Sequence, residues 1–252
     1  MHEWDGGLLR RIAPELAARV VFLEECGSTN DEAKELAARG ARTGTVVLTE
    51  RQSAGRGRRG GWSCPAGEGI ACSVILRPEE PVAQWSRHAL AAGVGVAEGL
   101  EGLGVQAGLK WPNDVWLSGR KLCGILVEAT AGVVVVGLGI NVNVRSFPEE
   151  LAFPATSLLL EKGQKVSREA VLAAVIPRVI QRCGEIGEGF GQVCQAWEEW
   201  SVLRGREVSL RSEGQSWRGT VVGLGKEGEL RLEGAWGHRG FLNAEEVRLI
   251  EA

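Results

Sequence analysis

The chain is predicted to be an α+β protein, with a mixed, mainly antiparallel sheet backed by helices and a small β-barrel after it. Two observations in the 252 residues predict this class. Strand-like and helix-like hydrophobic patterns are interspersed up to residue 202, whereas only short strands and tight turns follow. We therefore expect a large domain at residues 1–202 and a small domain at residues 203–252.

The larger region begins with a predicted strand at 19–23 and a predicted helix at 28–40. Thr29 and Glu32 match a capping box, and Gly40 suits a helix end. Small residues such as Gly95 predict that a later helix packs closely against the sheet. The elements predicted after the first helix are strands 45–49 and 70–76, a long helix 81–103, strands 122–127 and 132–141, helices 168–183 and 189–200, and short strands 207–210, 217–222, 229–232 and 246–250.

The composition excludes several classes of protein. A net charge of −3 argues against general affinity for nucleic acid or anionic membrane. The start of the chain has no signal-peptide pattern, and no segment is long and apolar enough to cross a membrane. The six cysteines form no C-x-x-C pair, which favours buried thiols in a reducing compartment, and the three histidines are far apart. We therefore expect a cytoplasmic protein without a structural zinc site or a His-based triad.

An unusual segment lies at residues 55–60, where three glycines alternate with three arginines. Arginine forks bind phosphate and carboxylate oxygens well, whereas glycine-rich backbone loses much entropy on ordering. The segment therefore predicts a loop that stays mobile until an anion neutralises it. By itself this pattern also fits a solvated loop or a nucleic-acid tail.

Four further motifs accompany this segment: STN at 28–30, KWPND at 110–114, RKLCGILVE at 120–128 and GLGINVN at 137–143, with QSAGRGRRG at 52–60 between the first two. In this order and spacing they resemble the biotin protein ligase (biotin–[acetyl-CoA-carboxylase] ligase) family. The resemblance runs from about Val20 to the C-terminus. The interval from Gly60 to Trp62 and Pro65 is one residue shorter than the usual family pattern.

This resemblance implies a class II synthetase-like catalytic domain and a C-terminal SH3-like barrel. It implies an enzyme that converts biotin and Mg-ATP into biotinyl-5′-AMP and transfers the biotinyl group to a lysine of a biotin carboxyl carrier protein domain. The segment before Val20 is too short for the N-terminal DNA-binding domain of bifunctional members, so the ligase-only form is expected, with no DNA partner. Family analogy makes a homodimer plausible.

The resemblance assigns the electrostatic centre of the reaction to Lys121, with Arg58 as a second catalytic residue. Arg56 and Arg58 are expected to close over the adenylate and keep water away from it. The implied biotin-binding residues are Ser28, Thr29, Asn30, Gln52, Gly55, Arg56, Gly57, Arg58, Lys121, Gly124 and Ile125. The implied ATP-binding residues are Arg58, Trp62, Lys110, Asn113, Asp114, Lys121 and Asn141. Mg²⁺ is expected mainly on the ATP phosphates, with Asp114 as the candidate protein ligand.

The residues alone leave other interpretations open. Lys121 also fits a solvated lysine at a strand start, Gly124 a bulge, Gln52 an exposed loop side chain, and Trp62 a core tryptophan. The motif at 28–30 also fits a helix cap, and that at 110–114 a turn. Two other functions remain: a lipoate or octanoate protein ligase of the same fold, and a non-enzymatic nucleic-acid-binding module.

Overall fold

The computed structural model describes residues 4–58 and 60–250 of the chain. The helices are α1 (Gly6–Ile12), α2 (Pro14–Ala17), α3 (Thr29–Ala38), α4 (His88–Glu101), α5 (Leu158–Lys162), α6 (Arg168–Cys183) and α7 (Phe190–Glu199). The strands are β1 (Val20–Cys26), β2 (Val46–Gln52), β3 (Arg56–Gly57), β4 (Gly60–Gly61), β5 (Gly69–Leu76), β6 (Gly108–Lys110), β7 (Asp114–Leu117), β8 (Arg120–Thr130), β9 (Val133–Asn141), β10 (Glu207–Ser212), β11 (Gln215–Leu224), β12 (Leu230–Gly234), β13 (Gly237–Phe241) and β14 (Glu246–Leu249).

Seven strands form one large sheet in the order β1-β2-β5-β9-β8-β7-β6. The pair β1 and β2 is parallel, and α3 is the crossover between them. All other neighbouring pairs in this sheet are antiparallel. The predicted mixed, mainly antiparallel sheet is therefore confirmed.

The large sheet is covered on both faces, which explains the nearly continuous apolar runs of its central strands. On one face, α3 packs Ala33 and Ala37 against Val47 of β2 and Ile75 of β5. On the other face, α4 and α6 cover a much larger core, to which α6 contributes five buried aliphatic side chains between Val171 and Val179. The sheet thus separates a small core from a large one. The candidate site lies over β8 and β9, beside the start of α3.

Two glycines bring α4 and α6 into close contact. A methyl group at Gly95 would lie 2.6 Å from the Cα and N of Val179. One at Gly99 would lie 2.6 Å from the Cα of Val175. Gly93, by contrast, faces Leu109 and Ile125 of the sheet. The small residues of α4 therefore serve a helix–helix contact as well as the predicted helix–sheet contact.

The last five strands form a second antiparallel sheet in the order β13-β12-β11-β10-β14, which is consistent with the predicted small barrel. Its core side chains, such as Leu210 and Leu232, belong to the same hydrophobic cluster as those of α4 and α6. The indole N–H of Trp111 also donates to the carbonyl of Gly228, at 3.1 Å. The small sheet is therefore packed directly onto the large one. The exact boundary at residue 203 stays a prediction.

Local details differ from the sequence-based expectations. The capping box is wrong, because Ser28 is the N-cap in an extended conformation and makes no side-chain cap bond. The predicted helix at 81–103 is split into a 3-10 helix, Val82–Arg87, and the α-helix α4. Periodicity did not reveal α1, α2, α5, β6, β7 or β13, since elements of three to seven residues contain too few positions to establish a period.

Two expectations about the whole chain can be compared with the structure. All six cysteines are free thiols, and four of them are buried. Within the described residues, no helix combines the length and the apolar character that a membrane span needs.

The close contact at Gly95 generates a stability prediction. Gly95→Ala should lower the free energy of unfolding by about 1–3 kcal/mol, because the methyl group would overlap the backbone of α6. Gly191→Ala is the matched control, since Gly191 lies in the exposed first turn of α7 and a methyl group there meets nothing within 4 Å. It should stabilise the protein by up to about 1 kcal/mol. Urea unfolding measures both, and equal midpoints for the Gly95 variant and the parent would contradict the prediction.

Candidate active site

A cavity of about 440 Å³ lies over β8 and β9 of the large sheet, beside the start of α3. Its walls come from the β3–β4 hairpin, the turn between β6 and β7, strands β8 and β9, the chain between β9 and α5, and the small sheet. It is lined by nearly all of the site residues predicted from the sequence: Ser28, Thr29, Asn30, Gln52, Arg56, Gly57, Arg58, Trp62, Lys110, Asn113, Asp114, Lys121, Gly124, Ile125 and Asn141.

Three glycines on β8 and β9, here called the glycine floor (Gly124, Gly137 and Gly139), form the base of this cavity. Gly124 pairs with Gly139 across the two strands, and Gly137 pairs with Leu126. A methyl group would meet a cavity side chain at each position: Lys121 at Gly124, Asn30 at Gly137, and Trp62 at Gly139. The absence of Cβ atoms therefore creates the space in which three functional side chains lie.

The start of α3 forms a buried polar pocket. Both the backbone N–H and the hydroxyl of Thr29 donate to Oε1 of Gln52, at 2.7 and 3.1 Å. The hydroxyl oxygen of Ser73 on β5 lies 2.6 Å from Oδ1 of Asn30 and 2.8 Å from the hydroxyl oxygen of Thr29, both hydrogen-bond distances. Gln52, at the end of β2, is therefore held by two hydrogen bonds from Thr29 and is not a free loop side chain. The motif at 28–30 also begins a helix, as its alternative interpretation predicted.

Acidic groups surround Arg56 of the hairpin. Its guanidinium forms a two-point ion pair with Asp31, at 2.6 and 2.7 Å, and also contacts Glu128 at 3.1 Å. The Arg56 hydrogen bonds lower the pKa of Asp31 to about 2. The pKa of Glu128 is lowered overall. Burial raises it, but the hydrogen bonds from Asn30, Lys34 and Arg56 together outweigh burial. Arg56 therefore has protein counter-charges, which the arginine pattern alone did not reveal.

The rest of the arginine segment has a different environment. Arg58 donates to the carbonyl of Ala244, between β13 and β14, and to the side chain of Asn113, at 3.5 Å for the latter. Gly55 does not line the cavity, because it packs against the backbone of Trp62 and the side chain of Gln52. A side chain at Gly55 would overlap both, so this glycine serves the hairpin's shape. Arg59 lies outside the described residues.

Lys121 is held inside the cavity by an ion pair. Its Nζ lies 2.6 Å from Oδ1 of Asp114, which follows the cis Trp111–Pro112 peptide in the KWPND motif. The side chain of Lys121 is 32% exposed, so it is neither buried nor fully solvated. Its Cε and Nζ occupy the space left by Gly124, 3.2 and 3.3 Å from the position of a methyl group there. The solvated-lysine alternative is therefore wrong for Lys121.

Lys110, which is predicted to bind phosphate, is almost completely buried. Only 3% of its surface is exposed. Its Nζ lies 3.8 Å from the centre of the Phe153 ring and 4.8 Å from that of Trp116, both cation–π distances. Lys110 therefore lines the cavity with its ammonium group against two aromatic rings.

The remaining predicted nucleotide residues lie around the glycine floor. The indole of Trp62 packs on Gly139, whose methyl position would be 2.5 Å from Cε2, and it is half-buried. Asn113 donates to the carbonyl of Ile125 at 2.6 Å, and Asn141 donates to that of Thr156 at 3.1 Å. These two amides therefore connect the cavity wall to its neighbours. The Trp62 ring is partly exposed and lines the cavity, so it is not a core tryptophan.

Sequence reasoning missed part of the cavity wall. The missed lining residues come mainly from the loop before α5 and from the small sheet: Phe147, Pro148, Glu150, Leu151, Ala152, Phe153, Ala155, Ala244 and Val247. The Phe-Pro dipeptides at 147–148 and 153–154 were a usable signal, because aromatic side chains in a predicted loop need a packing surface. The contribution of Ala244 and Val247 had no local signal.

The charges around the cavity favour an anionic ligand. Four basic side chains line it, Arg56, Arg58, Lys110 and Lys121, against the carboxylates of Asp114 and Glu150. Across residues 4–58 and 60–250, no three His, Cys, Asp or Glu side chains are grouped as a metal site. A divalent cation would therefore need oxygen ligands from its substrate as well as from the protein.

Comparisons with known proteins agree with this geometry. The Biotin/lipoate A/B protein ligase family model matches residues 24–144. The chain is 44% identical over 210 residues to the biotin–[acetyl-CoA-carboxylase] ligase of Mycobacterium tuberculosis, covering 81% of this chain and 77% of that protein. It is 34% identical over 240 residues to the bifunctional ligase/repressor BirA of Bacillus spizizenii, covering 91% and 74%. The solved structure of biotin protein ligase from Aquifex aeolicus in complex with biotin and ATP has a TM-score of 0.83 and 32% identity, covering 92% and 99%.

The lowered pKa of Asp31 predicts how stability depends on pH. An unfolded aspartate has a pKa of about 3.9, so the Arg56 pair stabilises the fold above that pH and loses its effect as pH falls through about 2. Because Asp31 is half exposed, the effect should stay below about 1 kcal/mol. The stability difference between the parent and Asp31→Asn, from urea unfolding, should therefore shrink between pH 5 and pH 2.

The same measurement in an Arg56→Met background is the control. Without the guanidinium, replacing Asp31 should produce little pH-dependent difference. A difference that stays constant across this pH range in the parent background would contradict the assignment.

Proposed function

The chain belongs to the biotin protein ligase family, and from this premise we propose that it is an ATP-dependent biotin–[biotin carboxyl carrier protein] ligase. It activates biotin as biotinyl-5′-AMP and then transfers the biotinyl group to one lysine of a carrier domain. One observation carries the proposal for this chain. A buried neutral polar pocket and four basic side chains open into the same cavity.

The polar pocket at the start of α3 suits the ureido head of biotin. A ureido group has N–H donors and a carbonyl acceptor, and it carries no charge. Ser28, Thr29, Asn30 and Gln52 supply hydroxyl and amide groups that can match both kinds of partner. Gly124 and Ile125 then provide a flat wall for the bicyclic ring. In this proposal the valerate chain extends from the pocket toward Lys121.

The first step joins two anions, which is why a fixed cation is needed. A carboxylate oxygen of biotin attacks the α-phosphorus of ATP, the bond from that phosphorus to the bridging oxygen breaks, and pyrophosphate leaves. Lys121 is positioned to neutralise both the carboxylate and the charge that develops on the α-phosphate. Asp114 holds the Lys121 ammonium at 2.6 Å, so little reorganisation is needed when the substrates bind.

The donors of the cavity fit a magnesium ion shared with ATP. Mg²⁺ prefers oxygen ligands and is usually bound by substrate phosphates with one or two carboxylates. Asp114 would be its protein ligand, as the carboxylate beside Lys121. When bound, the ion adds positive charge against the triphosphate.

The second step requires protection of the adenylate. The carrier lysine attacks the acyl carbon, an amide bond forms, the acyl–oxygen bond breaks, and AMP leaves with a proton released from the amine. Water competes for the same carbon. Arg56 and Arg58 would hold the phosphate while the hairpin excludes water, with Arg58 hydrogen-bonded to Ala244 between β13 and β14. Trp62, or the aromatic loop wall at Phe147 and Phe153, would hold the adenine ring.

The macromolecular partner in this proposal is the carrier domain. A cytoplasmic location is part of the proposal, supported by six free thiols of the kind that persist in reducing compartments. The predicted homodimer and the predicted absence of a DNA partner stay predictions.

The proposal is tested by mixing the protein with biotin, Mg-ATP and a purified biotin carrier domain. Mass spectrometry should find one biotinyl group on one lysine, and pyrophosphate exchange into ATP should depend on biotin. Lipoic acid replaces biotin in a parallel reaction, because the matching family model includes lipoate ligases. Transfer of lipoate but not of biotin would assign the chain to that branch. Absence of both transfers and of pyrophosphate exchange would overturn the enzymatic proposal.

Lys121→Ala should reduce biotin-dependent pyrophosphate exchange by about 100-fold or more, because a preorganised cation is lost from the reacting centre. The variant should still fold, with a lower unfolding midpoint, because the Asp114 side chain is only 12% exposed and loses its ion-pair partner. Lys165→Ala is the matched control, because Lys165 is exposed and does not line the cavity. Exchange within a few fold of the parent for Lys121→Ala would remove this lysine from the mechanism.

A further inference from the structure

A buried ion pair outside the cavity joins β2 to α6. The guanidinium of Arg168 donates twice to Glu50, from Nη1 to Oε2 and from Nη2 to Oε1, both at 2.8 Å. The Arg168 side chain is 4% exposed and that of Glu50 is 11% exposed. The ring of Trp4 covers the guanidinium at 4.6 Å. Burying two charges is costly, and apolar replacements of such pairs are often as stable, so stability alone is a weak reason for this pair.

The pair also binds the connecting segment, residues 62–69, which joins the arginine hairpin to β5. Oε2 of Glu50 accepts a hydrogen bond from the backbone N–H of Gly67, at 2.9 Å. Nη1 of Arg168 reaches the carbonyl of Gly69, at 3.4 Å. Between these two points, the carbonyl of Glu68 accepts from the backbone of Asn143, at 2.5 Å. The ion pair therefore holds the C-terminal end of the connecting segment at a fixed place.

Trp62 is at the other end of this short segment. Its indole packs on Gly139 of the glycine floor, and its backbone N–H donates to the carbonyl of Gly55 at 2.9 Å. The sulfur of Cys64 packs on Gly69, which leaves no room for a side chain there. Ser63, Pro65 and Ala66 are exposed, so the contact of Cys64 with Gly69 is the link through which a shift at the C-terminal end of the segment can reach Trp62.

Glu50 is also close to the N-terminal end of the hairpin. It precedes Gln52 by two residues on β2, and residues two apart on a strand lie on the same side. Gln52 has its own anchors, the two hydrogen bonds from Thr29. The two ends of the hairpin are thus anchored separately: one by Thr29, next to the proposed biotin pocket, and one by Glu50 and Arg168.

We propose that Glu50 and Arg168 are positioning residues that set the place of Trp62 and of the hairpin's C-terminal end, and hence the binding of ATP rather than of biotin. This inference rests on the proposed function for its kinetic readout. The pair touches no substrate in this proposal. It acts through Gly67, Gly69 and Trp62.

The test replaces both charges at once. Glu50→Met with Arg168→Met removes the anchor for Gly67 while leaving no unpaired buried charge, so the fold should keep its thermal stability. The KM for ATP in pyrophosphate exchange should rise by about tenfold, while the KM for biotin stays within about twofold. If the ion pair only stabilises the fold, neither KM should change in a variant that keeps its stability, and that result would overturn the proposal.

A matched control uses another ion pair of α6. Arg182 pairs with Glu98 of α4, and neither has a described contact with the connecting segment. Arg182→Met with Glu98→Met should leave both KM values unchanged. If the Glu50 double variant does not fold, Glu50→Gln replaces it. The amide keeps the shape but turns one acceptor oxygen into a donor facing Arg168 or Gly67, and the KM for ATP should rise severalfold in this variant. An unchanged ratio of the two KM values would count against the proposal.

A second readout does not depend on the enzymatic activity. Amide hydrogen exchange in peptides from residues 62–69 should become about tenfold faster in the double variant, while peptides from β8 and β9 keep their protection. Unchanged exchange in the connecting segment would overturn the anchoring role even if the parent protein is an active ligase. If the parent protein has no ligase activity but exchange in the double variant is still faster, the anchoring role is supported and only the proposed function is contradicted.

Discussion

The candidate site depends on the glycine floor, where β8 and β9 lack side chains at three neighbouring positions. Gly124 and Gly139 pair directly, and Gly137 lies two residues before Gly139 on the same strand. Three side chains fill the space above them: Lys121 from β8 itself, Asn30 from α3, and Trp62 from the segment after the hairpin. A sheet with ordinary side chains at these positions would fill the cavity with its own atoms. The register between the two strands therefore decides where the proposed cation, polar pocket and aromatic wall lie.

Charge compensation is the second organising constraint. The basic side chains line one cavity, and each has a protein partner in the structure. Arg56 pairs with Asp31, Lys121 with Asp114, and Lys110 lies over aromatic rings. Such partners keep cations in place at low cost, but an incoming anion must compete with them. For Arg56 the competitor is strong, because Asp31 and Glu128 both stay ionised down to acidic pH. We therefore expect ligand binding to rearrange this arginine more than Lys121.

The small sheet is part of the site as well as of the core. Its hydrophobic residues join the cluster under α4 and α6, and the carbonyl of Ala244 accepts from Arg58. Val247 lines the cavity beside it. Because the same packing contact that buries apolar surface also completes the cavity wall, the position of the arginine hairpin is coupled to the packing of the small sheet. The pair Glu50 and Arg168 holds Gly67 and Gly69 of the connecting segment that follows the hairpin.

Much of the fold was determined by the sequence itself. Periodicity predicts α6 with both of its ends, the pairing of β8 with β9 follows from two adjacent apolar runs, and the motif order led to the site residues that line the cavity. These features are local, since they depend on neighbours a few residues away. Only the tertiary structure decided which glycine receives which side chain, that Lys110 is buried against Phe153, and that Glu50 meets Arg168. Apart from Lys121 at Gly124, those contacts join residues far apart in sequence, and they depend on strand register and packing rather than on any pattern within one segment.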